Sequence, residues 1–312
     1  MKRKLICFFI LCFFSYTIYN YVWNFYYKIP IELDRYSGCP AVLVDIEGNS
    51  YSLKLDLGSK KPLSLQVRVL EKIHKEQQGT SHYLDFRGNK YETPNYIIPS
   101  ASLHGFSLSK VITEEDAYAF TSAAQIYDST SRSEEEIVFQ YFGRVGLDFF
   151  SQRNFFMDCS RSCLIICRNL QDLRKDGYET KHFVSCPFQL TPLGIVLHVE
   201  TDQGLMRFLV DTGSTDTMIR SSFFEEQKYD KYYHGMPVIP TKKFTIDHLD
   251  FGRAELCVLD ITPYMEKFID GLIGMDFLKN WPIFFDFKKQ LFYIYLPLFE
   301  KHQELIKFRS HS

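Results

Sequence analysis

Gly143 to Cys167 reads GRVGLDFFSQRNFFMDCSRSCLIIC, and Gly271 to Tyr295 reads GLIGMDFLKNWPIFFDFKKQLFYIY. The two stretches align without a gap at an offset of 128 and share seven of 25 residues: Gly143/Gly271, Gly146/Gly274, Asp148/Asp276, Phe149/Phe277, Phe156/Phe284, Asp158/Asp286 and Ile166/Ile294. Each copy has the pattern of a hydrophobic-Gly turn, a helical turn and a closing hairpin of apolar strands. A repeat of this kind argues that the chain is built from two copies of one unit.

Working outward, Leu53 to Ser59 (LKLDLGS) matches Phe208 to Ser214 (FLVDTGS) at an offset of 155. A third pair, Ser102 to Val111 (SLHGFSLSKV) and His248 to Val258 (HLDFGRAELCV), lies between the other two and alternates as strands do. The block order is the same in both halves, and the offsets imply 27 extra residues in the first half. The polar, acidic stretch from Glu114 to Glu136 is where they fit, as a loop or partly helical insertion. The expected fold is therefore all-β with short helices, in two homologous lobes. The expected boundaries are 1–30 for a membrane anchor or signal segment, 31–167 for the first lobe, 168–184 for a linker, 185–297 for the second lobe and 298–312 for a tail.

With 36 Lys plus Arg against 38 Asp plus Glu and no basic block, the chain lacks the clustered charge that phosphate neutralisation requires. Nucleic acid is thus not an expected partner. At the N-terminus Lys2, Arg3 and Lys4 precede an apolar run from Leu5 to about Tyr27, close to the roughly 20 residues that span a bilayer. No small-x-small site follows that run, which favours an uncleaved anchor over a cleaved signal peptide. The positive-inside rule then puts everything after about Lys28 outside the cytoplasm, in a periplasmic or lumenal space, with secretion after cleavage as the alternative. The aromatic tail of the run, Tyr19 to Tyr27, suits the far membrane interface.

Cys159, Cys163 and Cys167 are spaced in a way that invites a metal, but they sit in an apolar strand-like run with no His nearby, and no metal site is assigned. No cofactor is called for.

The chemistry lies in the repeated turns. Asp211-Thr212-Gly213-Ser214-Thr215 follows the apolar strand Phe208-Leu209-Val210, and Leu272-Ile273-Gly274 comes downstream. With these residues the chain resembles the aspartic proteases of the pepsin and retropepsin type over about Cys39 to Leu296. The resemblance implies two β lobes, each giving one Asp turn to a shared cleft, with Asp56 and Asp211 as the catalytic pair. It implies supporting roles for Gly58, Ser59, Thr212, Gly213, Ser214 and Thr215, the two serine hydroxyls bonding the outer carboxylate oxygens. It also implies a first-lobe hairpin over a peptide or protein substrate, for which His82 to Tyr96 offers Tyr83 and Tyr91 as flap residues. Independently of any family, two carboxylates brought that close cannot both ionise; they share a proton and divide the roles of base and acid.

The first half departs from the pattern at three places. Leu57 stands where the resemblance implies a Thr bonding across to the partner turn. Arg144 enters an otherwise apolar strand, where it has to be exposed, paired with an acid or a sign of drift. Phe142 replaces the acid found at Asp270. Three functional readings follow: an aspartic endopeptidase, a pseudoenzyme of the same fold that binds a peptide, glycan or protein, and a homodimer in which two Asp211 residues meet.

Overall fold

The computed structural model describes residues 25–35, 37–84, 90–116, 141–150, 153–224, 229–233 and 235–297. Among the described residues strands dominate, and the helices are short, such as Val67–Leu70 and Met275–Leu278. The two halves are joined by a six-stranded antiparallel sheet, in the order Tyr26–Pro30, Cys163–Cys167, Phe155–Asp158, Ile283–Asp286, Leu291–Tyr295, Phe183–Leu190. At its centre Phe156 pairs with Phe284, and these two are equivalent residues of the repeat. A residue facing its own copy marks a local twofold axis, so the duplication in sequence is a near-symmetry in space.

The same strand crossing is built in each lobe. Asn49–Asp56 runs parallel to Gly143–Gly146, which also pairs antiparallel with Leu63–Leu65. Gly204–Val210 runs parallel to Gly271–Ile273, which pairs antiparallel with Met218–Arg220. The glycine ending each threading segment has a steric reason. A Cβ on Gly146 would lie 2.1 Å from the Lys61 carbonyl oxygen, and one on Gly274 would lie 2.3 Å from that of Asp216. Apolar side chains from both lobes, with Phe149, Phe150, Phe155 and Phe285 fully buried, form a core that continues across the joining sheet.

Several expectations need correction. Tyr26 and Tyr27, read as the end of a membrane-spanning run, belong instead to the folded body: Tyr26–Pro30 is an edge strand of the joining sheet, and Tyr27 packs edge-on against Phe106 at 5.4 Å. The rest of the proposed anchor, through residue 24, lies outside the described residues, among which no helix is long and apolar enough to cross a membrane. Glu114 and Glu115 end the strand Phe106–Glu115 and so are not part of an insertion; residues 117–140 lie outside the described residues. Residues 168–184 hold two 3-10 turns, Leu170–Asp176 and Thr180–His182, and bury Leu173 and Tyr178 against Phe156 and Phe284. Cys163 to Cys167 forms a strand, and the six described cysteines are buried free thiols.

Candidate active site

The two strand crossings deliver two matched turns. Asp56 ends its strand, and Asp211 follows Val210 directly. In the first turn the Ser59 amide donates to the Asp56 carbonyl at 3.1 Å; in the second the Ser214 amide donates to the Asp211 carbonyl at 3.2 Å. The threading segments close both turns alike, through Leu147 N to Ser59 O at 2.7 Å and Met275 N to Ser214 O at 2.9 Å. Gly58 and Gly213 then allow the turns to approach. A Cβ on Gly58 would stand 2.5 Å from Asp211 Oδ1, and one on Gly213 would stand 2.5 Å from Asp56 Oδ1 and 3.0 Å from Asp211 Oδ1. Each carboxyl lies over the glycine of the opposite turn, which brings the two acids face to face.

Asp56 and Asp211 are 8% and 6% exposed, so little water separates their charges. Burial first, and then the charge of Asp56, push the Asp211 carboxyl up to about 7, against the opposing pull of Lys54 and the Gly213 amide, which donates to Asp211 Oδ1 at 2.8 Å. Asp211 thus keeps a proton at pH values where an ordinary carboxyl has lost it.

Thr212 forms the cross-lobe brace expected of it, its hydroxyl donating to Leu55 O at 2.7 Å and accepting from Leu57 N at 2.9 Å. Leu57 returns nothing of the kind; its side chain is fully buried in the core. The serine hydroxyls do not hold the outer carboxylate oxygens. Ser59 reaches Asp56 Oδ1 through its backbone amide at 3.1 Å, and the Ser214 hydroxyl donates to the Asp216 carbonyl at 2.9 Å. Thr215 contributes its carbonyl, which accepts from Asp276 N at 2.9 Å.

The outer oxygen of Asp56 is instead met by Arg144, with Nη1 at 3.3 Å from Asp56 Oδ2 and Nη2 at 3.1 Å from Asp116 Oδ1. Burial opposes the charge on Arg144, but Asp116, Asp56 and Glu114 together outweigh it and raise its pKa. Of the three fates open to this residue, pairing with an acid is the one observed, and the acids are Asp116 and Asp56. Lys54 is a further contributor that sequence reasoning missed: its Nζ donates to the Gly213 carbonyl of the other lobe at 2.6 Å. Superposing LKLDLGS on FLVDTGS places Lys54 on Leu209, the same charged-for-apolar exchange that made Arg144 conspicuous. Thr217 was missed as well; its hydroxyl bridges Asp276 Oδ1 at 2.6 Å and the Gly274 amide at 3.2 Å, fastening the second threading segment.

Glu76–Leu84 and Lys90–Leu103 form the expected hairpin, with Tyr83 opposite Tyr91 in register. The ring positions of these two tyrosines, and residues 85–89 at the tip, lie outside the described residues. Lys61, just past the Asp56 turn, donates to Ser81 Oγ at 2.6 Å and ties the hairpin to that turn.

No family model matches the chain, and no curated protein matches it in sequence. Solved structures do. The chain is similar to the aspartic proteinase from Irpex lacteus (TM-score 0.55, 13% identity, 87% of this chain and 97% of that one). It is similar to basic 7S globulin from soybean (TM-score 0.52, 9% identity, 86% and 94%) and to conglutin gamma, a basic 7S globulin from lupine seeds (TM-score 0.56, 12% identity, 87% and 95%). At these identities the likeness establishes the fold, that of the pepsin-like aspartic proteases, and the fold carries proteins named as proteinase and as globulin alike.

Proposed function

We propose that this chain, with its pepsin-like fold, is an aspartic endopeptidase. The observation that carries the reading is the convergence of Asp56 and Asp211 on one another's turn glycines in a buried site, where burial and the charge of Asp56 raise the pKa of Asp211. Asp56, as the anion, takes a proton from a water molecule whose oxygen attacks the scissile carbonyl carbon. Asp211 gives its proton to the carbonyl oxygen. Collapse of the tetrahedral gem-diol breaks the C–N bond: the amine nitrogen takes the proton now on Asp56 while one gem-diol hydroxyl returns its proton to Asp211, so acid and amine leave and the dyad again holds one shared proton. No covalent intermediate with the protein is formed.

Extended peptide is the substrate class, since the hairpin of Glu76–Leu84 and Lys90–Leu103 is tethered beside the Asp56 turn and offers an edge for a strand-like ligand. Lys2 to Lys4 and the apolar run after them favour attachment to a membrane with the lobes on its non-cytoplasmic side. A reporter fused at Ser312 should be inaccessible from the cytoplasm.

A binding protein of the same fold is the second reading, and Leu57 with the Arg144 contact to Asp56 favours it, because both depart from a symmetric dyad. The test is hydrolysis of a diverse peptide library by the full chain and by Asp56→Asn and Asp211→Asn. The endopeptidase reading expects cleavage by the unaltered protein and a loss of about 1,000-fold or more in each variant, since neither carboxyl alone serves as base and acid. Binding of peptides without turnover at any pH from 3 to 8 would favour the binding protein instead.

A further inference from the structure

Lys54 and Arg144 are cross-strand partners, and both side chains reach the dyad. Their counterparts in the second lobe, Leu209 and Leu272, are partners in the same register and belong to an apolar cluster with Val196, Met265 and Ile269. We propose that Lys54 and Arg144 are a cationic brace of positioning residues, which replaces the cross-lobe hydroxyl missing at position 57 and the serine hydroxyl missing from Asp56, and which orients the base and sets the alkaline limit of the dyad. The proposal rests on the reading of Asp56 and Asp211 as a working dyad.

Three observations support it. Lys54 Nζ donates from the first lobe to the Gly213 carbonyl of the second, so it ties the same two turns that the Thr212 hydroxyl ties from the other side. Arg144 engages Oδ2 of Asp56, while Oδ1, which accepts from the Ser59 amide, is the oxygen turned toward Gly213 and the second turn. The brace is itself fixed from several elements: Asp116 accepts from Arg144, Glu114 accepts from Ser64 and pairs with Lys61 at 3.7 Å, and Cys39 lies against the Gly213 carbonyl at 3.6 Å. Among the described residues, the charged or titratable groups around the dyad and its brace are thus Lys54, Arg144, Asp116, Glu114, Lys61 and Cys39.

The effects follow from which acid each cation faces. Arg144 holds Asp56 Oδ2 at 3.3 Å and so fixes the orientation of the base; without it the carboxylate is free to turn, and kcat falls with little change in KM. Lys54 opposes protonation of Asp211. Without Lys54, Asp211 holds its proton to higher pH, and the alkaline limb moves up. A merely structural role for Lys54 would lower the rate at all pH values and leave that limb in place.

The experiment measures kcat/KM against pH for the full chain carrying Arg144→Leu, Lys54→Leu or Arg144→Lys, together with 13C NMR titration of Asp-labelled carboxyls, assigned with Asp211→Asn. Since Arg144→Leu alone leaves Asp116 without its main partner, Arg144→Leu with Asp116→Leu is the folding-safe version; position 116 matches Leu259 of the second lobe. The expected results are a kcat lowered about tenfold with little change in KM in the Arg144→Leu proteins, recovery of kcat in Arg144→Lys, and an alkaline limb raised by about one pH unit in Lys54→Leu. An unmoved alkaline limb in Lys54→Leu, or a loss in the Arg144→Leu proteins carried by KM alone, would overturn the proposal. If the unaltered protein hydrolyses nothing, the endopeptidase reading fails while the brace is still decided by NMR: an Asp211 midpoint that rises in Lys54→Leu supports it, and an unchanged midpoint overturns it.

Discussion

The two lobes share a backbone and exchange their polarity. Beside the second Asp turn, Leu209 and Leu272 fill an apolar pocket; beside the first, Lys54 and Arg144 occupy the same places with Asp116 where Leu259 would be. At the outer end of the threading segments the exchange runs the other way. Asp270 accepts from Arg207 Nε at 2.9 Å and lies 3.4 Å from Arg220; burial pushes its carboxyl up, but the hydrogen bonds and charge of Arg207, with the charge of Arg220, outweigh this and leave it below the ordinary range. Its first-lobe counterpart, Phe142, packs on Tyr51 with 5.7 Å between ring centroids and lies under the Arg68 guanidinium at 4.4 Å. The strand crossing therefore does not depend on what fills the space beside it. It depends on every charge there having a partner, because an ion pair and an apolar cluster of similar volume are close in free energy whereas one unpaired buried charge is not.

The largest effect is expected from breaking that rule. Leu272→Arg places the first lobe's cation in the second lobe, where Leu259 offers no carboxylate, and should cost about 3 to 5 kcal/mol in urea unfolding. Arg144→Leu with Asp116→Leu, the reverse exchange made with both partners, should change stability by less than about 1.5 kcal/mol. A loss in the double variant as large as in Leu272→Arg would show that the lobes are not interchangeable.

A smaller effect separates the halves of the cross-lobe brace. Thr212→Val removes the acceptor for Leu57 N and the donor to Leu55 O and leaves both buried, at about 2 to 4 kcal/mol. Leu57→Thr trades core burial for one hydroxyl and should cost about 1 kcal/mol with no gain in peptide hydrolysis, because Lys54 already ties the turns. Faster turnover in Leu57→Thr would mean that the charged tie is the weaker substitute. The smallest contrast is between the serines: Ser214→Ala loses the bond to the Asp216 carbonyl, about 1 kcal/mol, whereas Ser59→Ala keeps the backbone contact to Asp56 and should stay within about 0.5 kcal/mol in thermal unfolding.

What was legible in the sequence was whatever repeats in it. The Asp turns, the threading glycines and the closing hairpins are written twice, so Asp56, Asp211, Gly58, Gly213 and the two-lobed β fold could be read without coordinates. Thr212 was assigned its brace correctly. What could not be read depends on which strands lie side by side. Lys54 acquires its role only because its strand pairs with Gly143–Gly146 and its side chain crosses to Gly213. Ser59 and Ser214 were given hydroxyl bonds that their side chains do not make, since a turn leaves the hydroxyl direction open. Tyr26 and Tyr27 were read from composition as membrane-interface aromatics, although an aromatic, apolar run equally suits an edge strand of the joining sheet.

The central claim is that two lobes place one proton between Asp56 and Asp211 and thereby cleave peptide bonds with water. Its most direct test is a single-turnover digestion in 18O-enriched water near pH 5, by the full chain and by Asp56→Asn, with the new carboxyl termini weighed by mass spectrometry. The account predicts one 18O in each new carboxylate from the unaltered protein and no product from Asp56→Asn. Undiminished cleavage by Asp56→Asn would contradict it, and would transfer the chemistry to Asp211 residues from two copies of the chain.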